Sequence, residues 1–166
     1  WLIGLSGSGK TTLAKKIVAG ANKKLKNTVL VDGDIIREVF GNDLGYSMDD
    51  RLLNAQRICQ IGKFLDEQGF NVVCAILSLF PETRDWNRDN IKDYYEVFID
   101  VPIDILVDRD SKGIYAKYIK AEISDVAGMD IHFPVPERAD LVIDNSKSKD
   151  DLLAYSDSII EKILQV

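Results

Sequence analysis

The chain has 166 residues, 46% of them hydrophobic and 29% charged, which fits one soluble globular domain and leaves little room for a second. No window approaches the ~18 uninterrupted apolar residues of a membrane span. With 27 acidic against 21 basic residues the net charge is −6, which excludes a general attraction to nucleic acid and confines any phosphate site to a local patch.

The chain opens on Trp1 and enters an apolar run at once, with no basic stretch or cleavage signal before it, so cytoplasm is the expected location. Short apolar runs then alternate with longer amphipathic stretches, the pattern of βα units around a buried parallel sheet. Strands are expected at residues 2–5, 28–31, 71–77, 96–99 and 139–143, and helices at 10–19, 49–68, 82–93, 102–109 and 148–164. Ser47 is placed to cap the second helix, Asp49 and Asp50 complement its dipole, and Gly69 marks its end. Cys59 and Cys74 make neither a CxxC pair nor a disulfide framework, so both read as buried small hydrophobes in a reducing compartment. Residues 110–136 break the rhythm, being polar and rich in Lys and Tyr. They read as a lid, with the single His132 a loop residue. Residues 1–166 thus form one three-layer α/β/α domain.

The segment Gly4-Leu5-Ser6-Gly7-Ser8-Gly9-Lys10-Thr11 matches G-x-x-x-x-G-K-[ST] and lies between the first strand and the first helix, where that motif must lie. Backbone amides of Ser6, Gly7, Ser8, Gly9 and Thr12 can wrap phosphates. Lys10 supplies charge to the β/γ region, and the Thr11 hydroxyl can hold Mg²⁺. This spacing implies nucleoside triphosphate binding without saying what receives the phosphate. The third strand ends in Ser78 with no carboxylate, and no Asn-Lys-x-Asp signature occurs, which weakens motor and G-protein readings. The acidic pair instead follows the second strand, as Asp32-Gly33-Asp34 with Arg37 one turn on. Carboxylates there lie beside the phosphate loop of an open α/β sheet, where one can deprotonate or orient an acceptor hydroxyl and the other can hold the metal or its water. The competing reading is a solvated turn with a capping aspartate. Downstream, Tyr46 precedes a helix that carries Arg51 and Asn54 on one face. That face reads equally as an anion site or as a solvated surface.

Together these residues resemble the adenylylsulfate kinases, which pass the γ-phosphate of ATP to the ribose 3′-hydroxyl of adenosine 5′-phosphosulfate. The likeness spans most of the chain. It runs through Gly4 to Thr12, Asp32-Gly33-Asp34-x-x-Arg37, Asp43 to Ser47 with Asp50-Arg51 and Asn54, Ser78 with Phe80, residues 97–102, and Arg109 to Tyr115. The resemblance implies a P-loop kinase fold with a five-stranded parallel sheet and a lid. It puts Arg109 near ATP, with Arg37, Tyr46, Arg51, Asn54, Ile76, Leu77, Ser78, Lys112 and Val126 around the acceptor. Ser78 is expected to hydrogen-bond substrate rather than to carry phosphate, because in-line transfer needs no covalent step. ATP and Mg²⁺ are the implied cofactors, a small nucleotide the partner, and bacterial relatives suggest a homodimer.

Three departures surround the acceptor. The family's Ser-Pro-Phe-Arg becomes Ser78-Leu79-Phe80-Pro81, so the arginine's anion contact is expected to be either absent or supplied by Arg84. The lid's Phe-Thr-Gly-x-Asp becomes Val126-Ala127-Gly128-Met129-Asp130, and Tyr-Glu-x-Pro becomes Phe133-Pro134-Val135-Pro136. An aromatic sandwich around the base is thereby expected to become Tyr46 against Val126, and a lost base–aromatic stack costs ~1–3 kcal/mol. The reaction is therefore expected to be kept while the acceptor stays open. It is either adenosine 5′-phosphosulfate or a substituted cytidine 5′-diphosphate such as cytidine diphosphoramidate, used in surface-polysaccharide modification. A regulatory protein that binds ATP without transferring phosphate is the alternative of another class.

Overall fold

A computed structural model describes residues 1–165. Its elements, in chain order, are β1 (Leu2–Ile3), α1 (Lys10–Ala21), β2 (Thr28–Asp32), α2 (Gly33–Val39), α3 (Met48–Glu67), β3 (Asn71–Ile76), α4 (Pro81–Asn90), β4 (Val97–Asp100), α5 (Ile103–Arg109), α6 (Ile114–Ile119), β5 (Leu141–Asp144), α7 (Lys149–Ala154) and α8 (Ser156–Leu164). The strands pair in parallel in the order β2-β3-β1-β4-β5. This is the expected five-stranded α/β/α sheet, with β1 at its centre, so the loop leaving β1 emerges at the crevice where such sheets bind ligands.

Successive strand residues point to opposite faces, which assigns the two helical layers. Leu2, Val73, Ala75, Val97, Ile99 and Ile143 join Leu13 and Ile17 of α1, Leu152 of α7 and Ile159 of α8 in one core. On the other face Ile3 and Phe98 meet Leu79 and Phe133, while Val31, Cys74 and Ile76 meet Ile36 of α2 and Ile58 of α3. Both cysteines are free and buried, and burial pushes their thiols up, to about 11 for Cys59 and about 12 for Cys74. Among the described residues no helix is long and apolar enough to cross a membrane.

The structure moves several boundaries. β1 ends at Ile3 rather than Leu5, because the chain turns at Gly4 against β4. A Cβ at Gly4 would come within 2.6 Å of the Ile99 carbonyl oxygen. The Asp-Gly-Asp turn is also the start of the unforeseen α2, whose first turn Asp32 caps by accepting from the Asp34 amide at 3.0 Å. Inside the lid stretch, Asp110 accepts from the Tyr115 and Ala116 amides and so starts α6. The expected last helix is two. Ser148 and Asp151 form a capping box for α7, and α8 follows after Tyr155. Ser47 does cap α3, accepting from the Asp50 amide, and Gly69 follows its end with φ +81°.

Candidate active site

The phosphate loop leaving β1 is gripped from several sides. Gly9, with φ +99°, has no room for a side chain, since a Cβ there would lie 2.5 Å from Leu152 Cδ2. Lys10 bridges the loop by donating to the Leu5 carbonyl at 2.7 Å. Its ammonium lies among Lys112, Asp32 and Asp34. Desolvation first and the Lys112 charge second pull its pKa down to about 8, against the two carboxylates. Thr11 donates from its hydroxyl to Asp32 Oδ2 at 2.7 Å. Asp32 is buried, so a hydroxyl and a carboxylate share one spot beside the loop. Asp34, in the first turn of α2, is exposed and accepts from Lys112 Nζ of the lid stretch at 2.5 Å. The structure thus gathers Lys10, Thr11, Asp32, Asp34 and Lys112 from three separate chain segments.

A second group forms around Tyr46. Arg37 donates to the Leu44 and Gly45 carbonyls and stacks over the ring at 4.7 Å. Arg51 donates to the Tyr46 carbonyl and, across to the lid stretch, to the Asp125 carbonyl, with its guanidinium 5.5 Å from the same ring. These hydrogen bonds go to carbonyls rather than carboxylates. Burial and the neighbouring Arg37 hold the Arg51 guanidinium below its usual value. Two adjacent cations that form no salt bridge among the described residues, beside a ring that is 62% exposed, make a place for an anionic nucleotide. Nearby, Asn54 is buried against the Gly33 carbonyl with its Oδ1 unpartnered. Ser78, at φ +57° beyond β3, is also buried with an unpartnered Oγ. Trp1, Thr28, Asn87 and Asn145 also carry buried atoms without partners, so Asn54 and Ser78 are candidates for a ligand contact by their position beside this group.

Other expected residues have structural partners. Ile76 is buried in the sheet core, and Leu77 packs against the Ile3–Phe98 cluster. Arg109 donates to the Lys147 carbonyl at 2.9 Å, beyond β5. Arg84 is buried and donates to the Pro134 carbonyl, which ties α4 to the end of the lid stretch. Arg57 is bidentate to Asp43 and stacks on Phe40, so it braces the loop ahead of Tyr46. Val126 is only 5% exposed and packs in the main core. Its amide, with that of Asp125, is held by Asp130. Two side chains without a role at the sequence level also reach the phosphate loop, Tyr115 and Asn145. Tyr115 lies in the Lys112–Tyr115 stretch that carried the resemblance, while nothing in the sequence marks Asn145.

The family model of adenylylsulphate kinase matches residues 1–144. The chain is 40% identical to a cytidine diphosphoramidate kinase of Campylobacter jejuni over 163 residues, covering 98% of this chain and 94% of the relative. It is 36% identical to an adenylyl-sulfate kinase of Pseudomonas aeruginosa, covering 92% and 79%. Among solved structures, the Mycobacterium tuberculosis APS kinase CysC in complex with AMPPNP and APS superposes with a TM-score of 0.89 at 31% identity, covering 99% of this chain and 95% of that one.

Proposed function

Because the chain belongs to the adenylylsulphate kinase family, we propose that it transfers the γ-phosphate of ATP to the ribose 3′-hydroxyl of a small nucleotide, with a substituted cytidine 5′-diphosphate such as cytidine diphosphoramidate as the acceptor. The observation that carries the transfer is the meeting of the complete phosphate loop with Asp32 and Asp34. A protein that merely holds ATP needs no second carboxylate facing the acceptor side.

Lys10 places an ammonium against the β- and γ-phosphates, and the Ser6–Thr12 amides wrap them. Asp34 faces the acceptor side, where it orients the 3′-hydroxyl and takes up its proton as the oxygen attacks. The Lys112 now paired with Asp34 is free to turn to the phosphoryl oxygens when substrate enters. Arg109 flanks the donor nucleoside. Arg37 and Arg51 hold the acceptor's anionic groups, Tyr46 stacks on its base, and Asn54 and Ser78 satisfy their unpartnered atoms on it. Thr11 and Asp32 would hold Mg²⁺. They are two hard oxygen donors, and among the described residues no cluster of three or more His, Cys, Asp or Glu side chains is arranged as a metal site of its own. That suits an ion that completes its shell with phosphate and water. When bound, it neutralises charge on the phosphate oxygens.

Cytidine is favoured by one structural feature: Val126 packs into the core, so Tyr46 offers a base a single aromatic face. The 40% identity to the cytidine diphosphoramidate kinase points the same way, and a role in surface-polysaccharide modification is part of that proposal. Adenosine 5′-phosphosulfate is the second reading, supported by the family model and by the adenylyl-sulfate kinases. ADP release with each acceptor decides between them. Turnover of adenosine phosphosulfate with cytidine compounds inert would overturn the cytidine reading, and no turnover with either would overturn the kinase reading. A homodimer is part of the same proposal and is checked by light scattering. A cytoplasmic location, consistent with the two free buried thiols, is checked by fractionation.

A further inference from the structure

Two buried hydrogen-bond donors that the reaction above does not use both end on the phosphate loop. Tyr115 of α6 is 1% exposed and donates from its hydroxyl to the Ser6 carbonyl at 2.9 Å, across 109 positions of sequence. Asn145, directly after β5, is 4% exposed and donates from Nδ2 to the Ser8 carbonyl at 2.9 Å, across 137 positions. A loop whose amides converge on an anion must turn its carbonyls the other way. Turned into the protein, buried at Ser8 and half-buried at Ser6, they call for donors supplied by the protein. Ser6 and Ser8 are alternate residues of the loop, and each finds its donor in a different, distant element.

The Asn145 contact is tightly held. Its own amide donates to the Asp100 carbonyl, which locks the exit of β5 to that of β4. A Cβ at Gly9 would lie 3.1 Å from its Nδ2. Its Oδ1 is buried without a partner. An apolar side chain would fill this place without leaving a buried acceptor unsatisfied, so the amide is explained by the bond it makes to the loop. At Tyr115, burial together with the Asp110 charge pushes the phenol up to about 12, which keeps its proton in place as a donor.

We propose that Tyr115 and Asn145 are positioning residues that preorganise the Gly4–Thr12 loop for the triphosphate, by holding the Ser6 and Ser8 carbonyls away from the anion site. Tyr115 thereby also ties the lid stretch to the donor half of the cleft. The inference rests only on the donor half of the proposed function, that this loop binds ATP, and is independent of the acceptor.

The test is calorimetric binding of a MgATP analogue, without acceptor, to the parent, Tyr115→Phe and Asn145→Asp. Each variant is expected to weaken binding about tenfold, the worth of one such bond, while leaving the acceptor KM within twofold. Tyr115→Phe keeps the ring and its packing, so it decides the question if the asparagine variant does not fold. In Asn145→Asp the carboxylate repels the Ser8 carbonyl at neutral pH and can donate to it once protonated. The ratio of variant to parent Kd is therefore expected to fall towards one on acidification. Variants that bind like the parent overturn the inference alone, as does an Asn145→Asp loss that acidification leaves unchanged. A parent that does not bind the analogue overturns the proposed function and this inference with it.

Discussion

Along residues 4–12 the donor phosphates would meet main-chain amides and the one ammonium of Lys10, whereas across residues 34–54 the acceptor would meet the side chains of Asp34, Arg37, Tyr46, Arg51 and Asn54. The donor loop is pinned by Lys10, Thr11, Tyr115 and Asn145, with bonds of 2.7 to 2.9 Å. The acceptor group is looser in kind. Tyr46 and Asp34 are exposed, the two arginines rest on loop carbonyls, and Asn54 and Ser78 carry unpartnered atoms. A backbone cradle tolerates little change in residue type, because glycine geometry and carbonyl direction are what it is made from. A side-chain surface can exchange one residue at a time, and the chain's departures from the family pattern, at residues 79–81, 126–130 and 133–136, fall in stretches expected around the acceptor and none in the phosphate loop.

If the two halves are separable in this way, changes in one should leave the substrate of the other untouched. Asp32 lies on their border and gives the largest expected effect. Asp32→Asn weakens the hold on Mg²⁺ and should lower kcat by about 10–100-fold, with MgATP affinity within a few-fold of the parent. A kcat near the parent's would remove Asp32 from the metal site. Tyr46→Ala acts on the acceptor side alone, and loss of one base stack should raise the acceptor KM roughly tenfold or more with the ATP KM steady. Parallel rises in both constants would break the comparison.

The donor half also has a pH signature. Lys10 in the free protein titrates near 8 rather than in the usual lysine range. Its charge is full below that value and is lost above it, so ATP affinity should fall as pH rises through about 8, by at most about tenfold per unit. Lys112→Gln removes one of the causes of the depression and should move the inflection upward, which ATP titrations from pH 6 to 10 would show. The smallest effect is expected at Val126→Phe. Overpacking a buried position costs ~1–3 kcal/mol, read as a lowered Tm, and kcat/KM should shift only a few-fold towards adenosine phosphosulfate. An unchanged preference would show that Val126 does not border the base.

The donor site and the layout of the fold were legible in the sequence. The phosphate loop could be read because its chemistry forces glycine, lysine and threonine into fixed spacing between a strand and a helix. The five strands could be read because a sheet buried on both faces demands continuous apolar runs. α2 and α6 escaped notice because seven and six residues are too few to display a helical period, and each is started by an aspartate that reads equally well as a turn. At the acceptor site, residue types were legible but directions were not. Tyr46 and Val126 both carried a place beside the base, yet one ring is open to solvent and the other side chain packs in the core.

That this chain is an α/β phosphate-loop protein with an acidic pair near the loop is written in local spacing and can be read without coordinates. Which partners meet is a matter of packing. It brought Thr11 to Asp32, Lys112 to Asp34, Arg51 to Asp125, and Tyr115 and Asn145 to the loop carbonyls. Contacts across 21 to 137 residues follow from how the sheet and its helical layers pack, and no short stretch of sequence records that packing.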